Sequence, residues 1–166
     1  MTVWFPRKKS MTVYDPHILP RESIFSAIHA THTSELDTVS AIGDGKEPRY
    51  SSGKKVPRWT SRPQLGKPQM VEARFHGKKK VRSIGVYWMQ DRQDVWFPEE
   101  WRLEVKKAGK WEPFKLYTTD RYDRRANQYN VVHPAAPLTC EAIRIHMTPK
   151  EDAAVGILEV QVAFEK

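Results

Sequence analysis

The chain contains a single cysteine, Cys140, in 166 residues. No intrachain disulfide can form, so its stability must come from packing, and cysteine usage says nothing about the compartment. No apolar run approaches the roughly 18 residues that cross a bilayer. Met1 to Pro20 carries Arg7, Lys8 and Lys9 but no apolar stretch after them, so it does not read as a secretory signal. An export signal would have to lie outside this chain. The G-x-S-x-G elbow, the P-loop and the dinucleotide fingerprint are all missing. So are internal repeats, low-complexity tracts and nearly all helical periodicity. With 39% hydrophobic and 29% charged residues, the chain belongs with globular domains rather than disordered or membrane ones. Its length suits one domain with one core.

What is present is alternation. Leu158, Val160, Val162 and Phe164 fall on one side of a closing segment, with Glu159, Gln161 and Glu165 on the other. Ile84, Val86 and Trp88 alternate with Gly85 and Tyr87. Trp101, Leu103 and Val105 alternate with Arg102, Glu104 and Lys106, and Ile143, Ile145 and Met147 with Arg144 and His146. Period two marks strands with one buried side. Seven strands are expected, near 69–75, 81–88, 101–107, 111–117, 128–133, 141–147 and 156–164. Short strands between turn-rich connections predict an all-β sandwich with Trp88, Leu103, Ile145 and Val160 in its core.

The formal charge is +8. Such a balance raises nucleic acid, anionic polysaccharide or anionic membrane as partners. The basic residues are dispersed, however. Their densest run, Lys78-Lys79-Lys80 with Arg82, follows His76-Gly77 and is expected at a hairpin tip, where lysines also protect sheet edges. Nucleic acid is therefore not the expected partner. Residues 1–30 read as a leader or edge strand, with Ser23 to Ala30 open between a helical turn and a strand; 31–166 form the domain. Ser34 to Pro68, rich in glycine and proline, is too long for an ordinary connection and reads as a functional loop.

Several motifs occur in a telling order. Ala41-Ile42-Gly43-Asp44-Gly45 is followed by Arg58-Trp59-Thr60-Ser61, then by Val71 to Phe75 and Val81 to Trp88. Pro98 to Leu103, Gly109 to Pro113 and Gly156 to Val160 complete the series. This series resembles the discoidin-like (coagulation-factor C-type, galactose-binding-like) modules appended to bacterial β-L-arabinofuranosidase-type glycoside hydrolases, over about residues 35 to 164. The resemblance implies a galactose-binding-like jelly roll of about eight antiparallel strands. It implies a structural calcium bound by Asp44 in the loop and Glu159 on the last strand, with oxygens from Ser51 and Ser52 in reach, as a hard cation requires. It also implies a ligand site on loops at one end. The opening twenty residues have no counterpart.

Sugars stack their C–H faces on aromatic rings and offer hydroxyls to polar side chains. Trp96, Trp59, Phe97 and Tyr122 fall in segments that read as loops, beside Arg58, Asp91, Arg92, Asp94, Asp123, Arg124 and Asn127. Trp96 leads, followed by Trp59, Arg58, Asp91, Arg92, Tyr122 and Asn127. His29 and His32 have a zinc-compatible spacing but no third ligand. Asp91, Asp94, Asp120 and Asp123 are crowded by arginines, which depress a carboxylate pKa, the wrong direction for an acid catalyst. Cys140 has His133 or His146 as spatial candidates for pairing.

The expected function is that of a non-catalytic carbohydrate-binding module holding an associated glycoside hydrolase on plant or bacterial polysaccharide by proximity. Its place would be secreted, periplasmic or at the cell surface, within a larger protein. Two alternatives differ in class. One is a structural domain packed on a catalytic domain without free ligand; the other is a salt-sensitive binder of anionic polymer.

Overall fold

Gly77 bends a strand where the sequence suggests a hairpin. The computed structural model describes residues 23–53 and 56–166. The strands are β1 (Phe25–Ala30), β2 (Trp59–Thr60), β3 (Gln69–Trp88), β4 (Glu100–Lys107), β5 (Lys110–Pro113), β6 (Tyr129–Val132), β7 (Leu138–Thr148) and β8 (Gly156–Phe164). The two strands expected at 69–75 and 81–88 are one strand of 20 residues. Gly77 has φ +81°, and the register with β7 shifts between Arg74 and Lys79. Lys79 and Lys80 then pair with Cys140 and Thr139, so the lysine run lies within a strand and not at a turn. A glycine-centred bulge bends a strand without ending it.

That bend organises the molecule. The first half of β3 pairs with β1 and β7, and β7 passes the ladder to β4 and β5. The second half pairs with β8 and β6, and β8 with β2. All eight strands are antiparallel and continuous by hydrogen bonds, folded so that the two halves share one core. Val71, Ala73, Phe75, Leu103 and Ile145 come from one half, and Ile84, Val86, Trp88, Val160 and Val162 from the other. Trp88 meets Trp101 edge-on at 5.2 Å and Phe75 meets Phe164 at the same separation. All four expected core residues are buried.

One open reading closes and three expectations change. Of Ser23 to Ala30, Phe25–Ala30 forms an edge strand. The 111–117 segment pairs only as far as Pro113, after which Phe114 turns inward and Leu116 bridges Pro134. Trp59 lies on β2 rather than in a loop. On β8, Tyr87 faces Glu159 while Trp88 faces Ile157, so Leu158 is an extra, bulged residue. Ile157 thus joins Val160 in the main core, and Leu158 packs in a second cluster with Tyr87, Met89, Val95 and Ala154. Two glycines of the 34–68 segment meet that outer face, Gly45 donating to Glu159 and Gly53 lying against Leu158, and the segment carries a 3₁₀ turn at Val39–Gly43. Among the described residues no helix is long and apolar enough to cross a membrane.

Candidate functional site

Residues 44 to 52 of the long loop contribute to two clefts. The first has a volume of ≈ 430 Å³ and is lined by Asp44, Gly45, Glu47, Tyr129 and Glu159 among others. Asp44 closes the 3₁₀ turn, and its Oδ1 accepts from the Lys46 amide at 2.9 Å. The β8 bulge swings Glu159 to the outer face, where the loop buries it to 5% exposure. Its Oε1 accepts from the Gly45 amide at 3.3 Å. Asp44 Oδ2 and Glu159 Oε2 are buried without a partner. Burial first, and then the neighbouring Asp44, push the Glu159 carboxyl up to about 10. A buried Glu159 beside a half-buried Asp44, each with one buried orphaned oxygen, suits a hard cation that accepts oxygen ligands.

Among the described residues no three His, Cys, Asp or Glu side chains converge as a metal cluster, so the remaining ligands would be carbonyls or water. Tyr129 donates to Glu47 Oε2 at 2.9 Å; burial, then this carboxylate, raise its pKa far above the usual phenol range. Tyr129 also meets Tyr87 edge-on at 5.2 Å, and the Tyr87 hydroxyl is buried without a partner. Ser51 and Ser52 do not line this cleft.

Ser51 and Ser52 instead line a second cleft of ≈ 410 Å³ with Tyr50, Gln90, Asp91, Arg92, Ala126 and Asn127. Ser51 joins three loops. Its amide donates to Asn127 Oδ1 at 2.8 Å, its Oγ accepts from the Asn127 amide at 2.8 Å, and its carbonyl accepts from the Gln90 amide at 2.9 Å. Arg92 and Asn127 both sit at φ 60°. Of the three non-glycine residues with positive φ among the described residues, these two meet in one cleft and the third, Ala108, is at a hairpin. Strained backbone of this kind persists where surrounding structure holds it, and it gathers at ligand sites. Tyr50 presents its ring at 62% exposure.

Asp91, Arg92 and Asn127 are thus brought together as the sequence suggests, but the other expected ligand residues are elsewhere. Trp59 is 0% exposed, and its Nε1 donates to His32 O at 3.0 Å; a ring with no free face offers no sugar platform. Tyr122 packs on Trp101 at 4.7 Å while its hydroxyl accepts from the Leu103 amide at 3.1 Å, so both its face and its tip are engaged. Arg58 pairs with Asp37 at 3.3 Å, beside a different hollow. Trp96 is half-buried outside the cleft, with the Lys150 ammonium 4.9 Å from its ring centroid. Phe97 leans on the core. Tyr50 is the aromatic the sequence reading missed; its only local signal is the Tyr-Ser-Ser-Gly turn in an otherwise polar stretch.

The carboxylates considered for catalysis are all engaged. Asp91 and Asp94 share Arg62, Asp120 accepts from His133 Nδ1 at 3.0 Å, and Asp123 pairs with Arg125 at 3.7 Å. His146 engages Glu104 and His133 engages Asp120, and burial pushes the Cys140 thiol up to about 11.

No family model matches the sequence, and none of the curated proteins does. Solved structures do share the fold. The family 32 carbohydrate-binding module of Clostridium perfringens NanJ, solved in complex with galactose, superposes with a TM-score of 0.64 at 17% identity, over 84% of this chain and 93% of that one. A chain of the Streptococcus pneumoniae β-galactosidase BgaA gives 0.67 at 19%, over 84% and 91%. CBM32-3 from a C. perfringens family 31 glycoside hydrolase gives 0.61 at 14%, over 82% and 88%. The chain has the galactose-binding-like jelly-roll fold of these modules.

Proposed function

We propose that this chain is a non-catalytic carbohydrate-binding domain, with its sugar site in the cleft between Tyr50 and Asn127. The observation that carries this reading is an exposed aromatic ring beside a polar cleft whose walls are locked at Ser51. Such a ring packs against a sugar's C–H face, while Gln90, Arg92, Ser52 and Asn127 meet its hydroxyls. Locked walls reduce the ordering cost of binding. The fold shared with the galactose-bound NanJ module supports the reading, as do carboxylates tied to Arg62 and Arg125 rather than poised for acid–base work.

The role follows from weak affinity. A shallow site of this kind acts by holding an attached glycoside hydrolase near its polysaccharide, which raises the effective concentration of enzyme. The matching module from a family 31 glycoside hydrolase supports such an attachment. Calcium at Asp44 and Glu159 would neutralise the carboxyl pair and pin the loop that carries Tyr50 and Ser51.

The test is a glycan array and affinity-gel screen of wild type and Tyr50→Ala. Retention on a glycan that Tyr50→Ala abolishes, with unchanged melting, is the expected outcome. A variant that binds as wild type does, or a screen without any glycan retained, removes the site.

A further inference from the structure

The cleft's hydrogen-bonding groups are unevenly matched. Its one carboxylate, Asp91, is largely engaged: Oδ1 accepts from the Gln93 and Val95 amides at 2.9 and 3.0 Å, and Oδ2 is held by Arg62. Asn127 spends its oxygen on the Ser51 amide, leaving its amide nitrogen, a donor, without a partner among the described residues. Arg92 lines the same cleft, is exposed, and has no ion pair or hydrogen bond among the described residues. The cleft therefore presents an unneutralised guanidinium and an amide donor beside a carboxylate whose charge is already paired with Arg62. An anionic group takes only donors, and the guanidinium adds a charge to meet it. A guanidinium also matches a carboxylate or sulfate in bidentate fashion, and the chain's +8 charge draws anions toward it.

We propose that the sugar taken by this cleft is acidic, with a carboxylate or sulfate seated on Arg92 and the ring on Tyr50. The proposal rests on the carbohydrate reading of the same cleft. Arg92 acts as a specificity residue: it selects the charged glycan over its neutral counterpart, while Tyr50 supports binding of both.

Calorimetric titration of the full chain tests this with four probes: an oligogalacturonide, its methyl ester, a sulfated galactan oligosaccharide and a DNA duplex. The oligogalacturonide should bind about ten- to a hundred-fold more tightly than its ester, the range of a hydrogen bond to a charged group. Arg92→Asn, which tolerates the positive φ, should erase that difference without changing the melting temperature. Arg92→Lys, keeping charge but not the fork, should fall between. Tyr50→Ala should lose acid and ester alike. Binding of the sulfated oligosaccharide in place of the uronide identifies sulfate as the source of the charge and still supports the proposal.

Equal affinity for acid and ester overturns the acidic preference and leaves the sugar site standing. So does a preference that survives Arg92→Asn, which would place it in the overall charge. If only DNA binds, and Tyr50→Ala leaves that binding intact, both readings fall.

Discussion

The two clefts share one loop and oppose each other in chemistry. Around Asp44 and Glu159, acceptors outnumber donors: two carboxylate oxygens are buried with nothing to accept from, and one carboxyl is pushed up to about 10. Around Tyr50 and Asn127, the charge left without a counter-ion among the described residues is the Arg92 guanidinium. Only a few residues separate Asp44 from Tyr50, so composition does not explain the contrast. Burial does. The β8 bulge drives Glu159 under the loop, whereas Arg92 and Asn127 are held outward by left-handed backbone. The same loop therefore offers one end to a cation and the other to a ligand that accepts hydrogen bonds.

The sharpest way to break this comparison is to ask which ring is structural. Trp59→Ala should cost about 3–5 kcal/mol in chemical denaturation, as large core truncations do. Tyr50→Ala should stay within about 0.5 kcal/mol, as exposed substitutions do. If Tyr50 proved the costlier change, the cleft would be part of the packing and not a site.

Next in size is the Ser51 junction. Asn127→Ala orphans the Ser51 amide and strains the backbone, so it should destabilise by about 1–3 kcal/mol and abolish glycan binding. Asn127→Gly keeps the conformation and still loses the acceptor. Restored melting with Asn127→Gly would assign the loss to strain; shared loss would assign it to the hydrogen bond.

The acidic cleft predicts a pH signature. Glu159 has a folded-state pKa near 10 against an ordinary 4.5. The folded state thus holds a proton that the unfolded state has released. Stability from this group is fully present below about pH 4.5 and is lost as pH rises toward about pH 10. Chelated protein should melt higher at pH 5 than at pH 8, and Glu159→Gln should flatten that slope. Calcium competes with the proton, so it should raise the melting temperature at pH 8 and do little at pH 5. A melting temperature indifferent to calcium in both conditions, with Asp44→Ala as stable as wild type, excludes the cation.

The smallest expected effect sharpens the separation. Because Ser51 is locked by its own hydrogen bonds, calcium should change glycan affinity less than about threefold (under 1 kcal/mol). A larger change would make the loop a coupling element between the clefts.

Much of the fold was legible because period-two burial is written directly in residue order, as in Trp101-Leu103-Val105 and Ile143-Ile145-Met147. The β3 bend was not, because Gly77 followed by three lysines has the composition of a turn, and only the ladder with β7 shows that pairing continues. The Leu158 bulge was hidden for a related reason. Both Ile157 and Leu158 are apolar, so alternation alone cannot tell which faces the main core. Asp91, Arg92 and Asn127 were recognisable as polar residues in loops. Tyr50 was not, since exposure of a single ring in an aperiodic stretch is set by three loops meeting at Ser51. Trp59 misled because its neighbours look like a loop while its ring fills the core.

A strand that belongs to both halves of a sandwich also constrains how the chain finds its structure. Every partner of β3 is distant in sequence, so neither half can form a complete ladder before β7 and β8 have been made. Such long-range pairing places folding in the range of about milliseconds to seconds. It also denies the two halves separate lives: any opening that frees β3 from one releases the other, and amide exchange across the core strands should report a single global event.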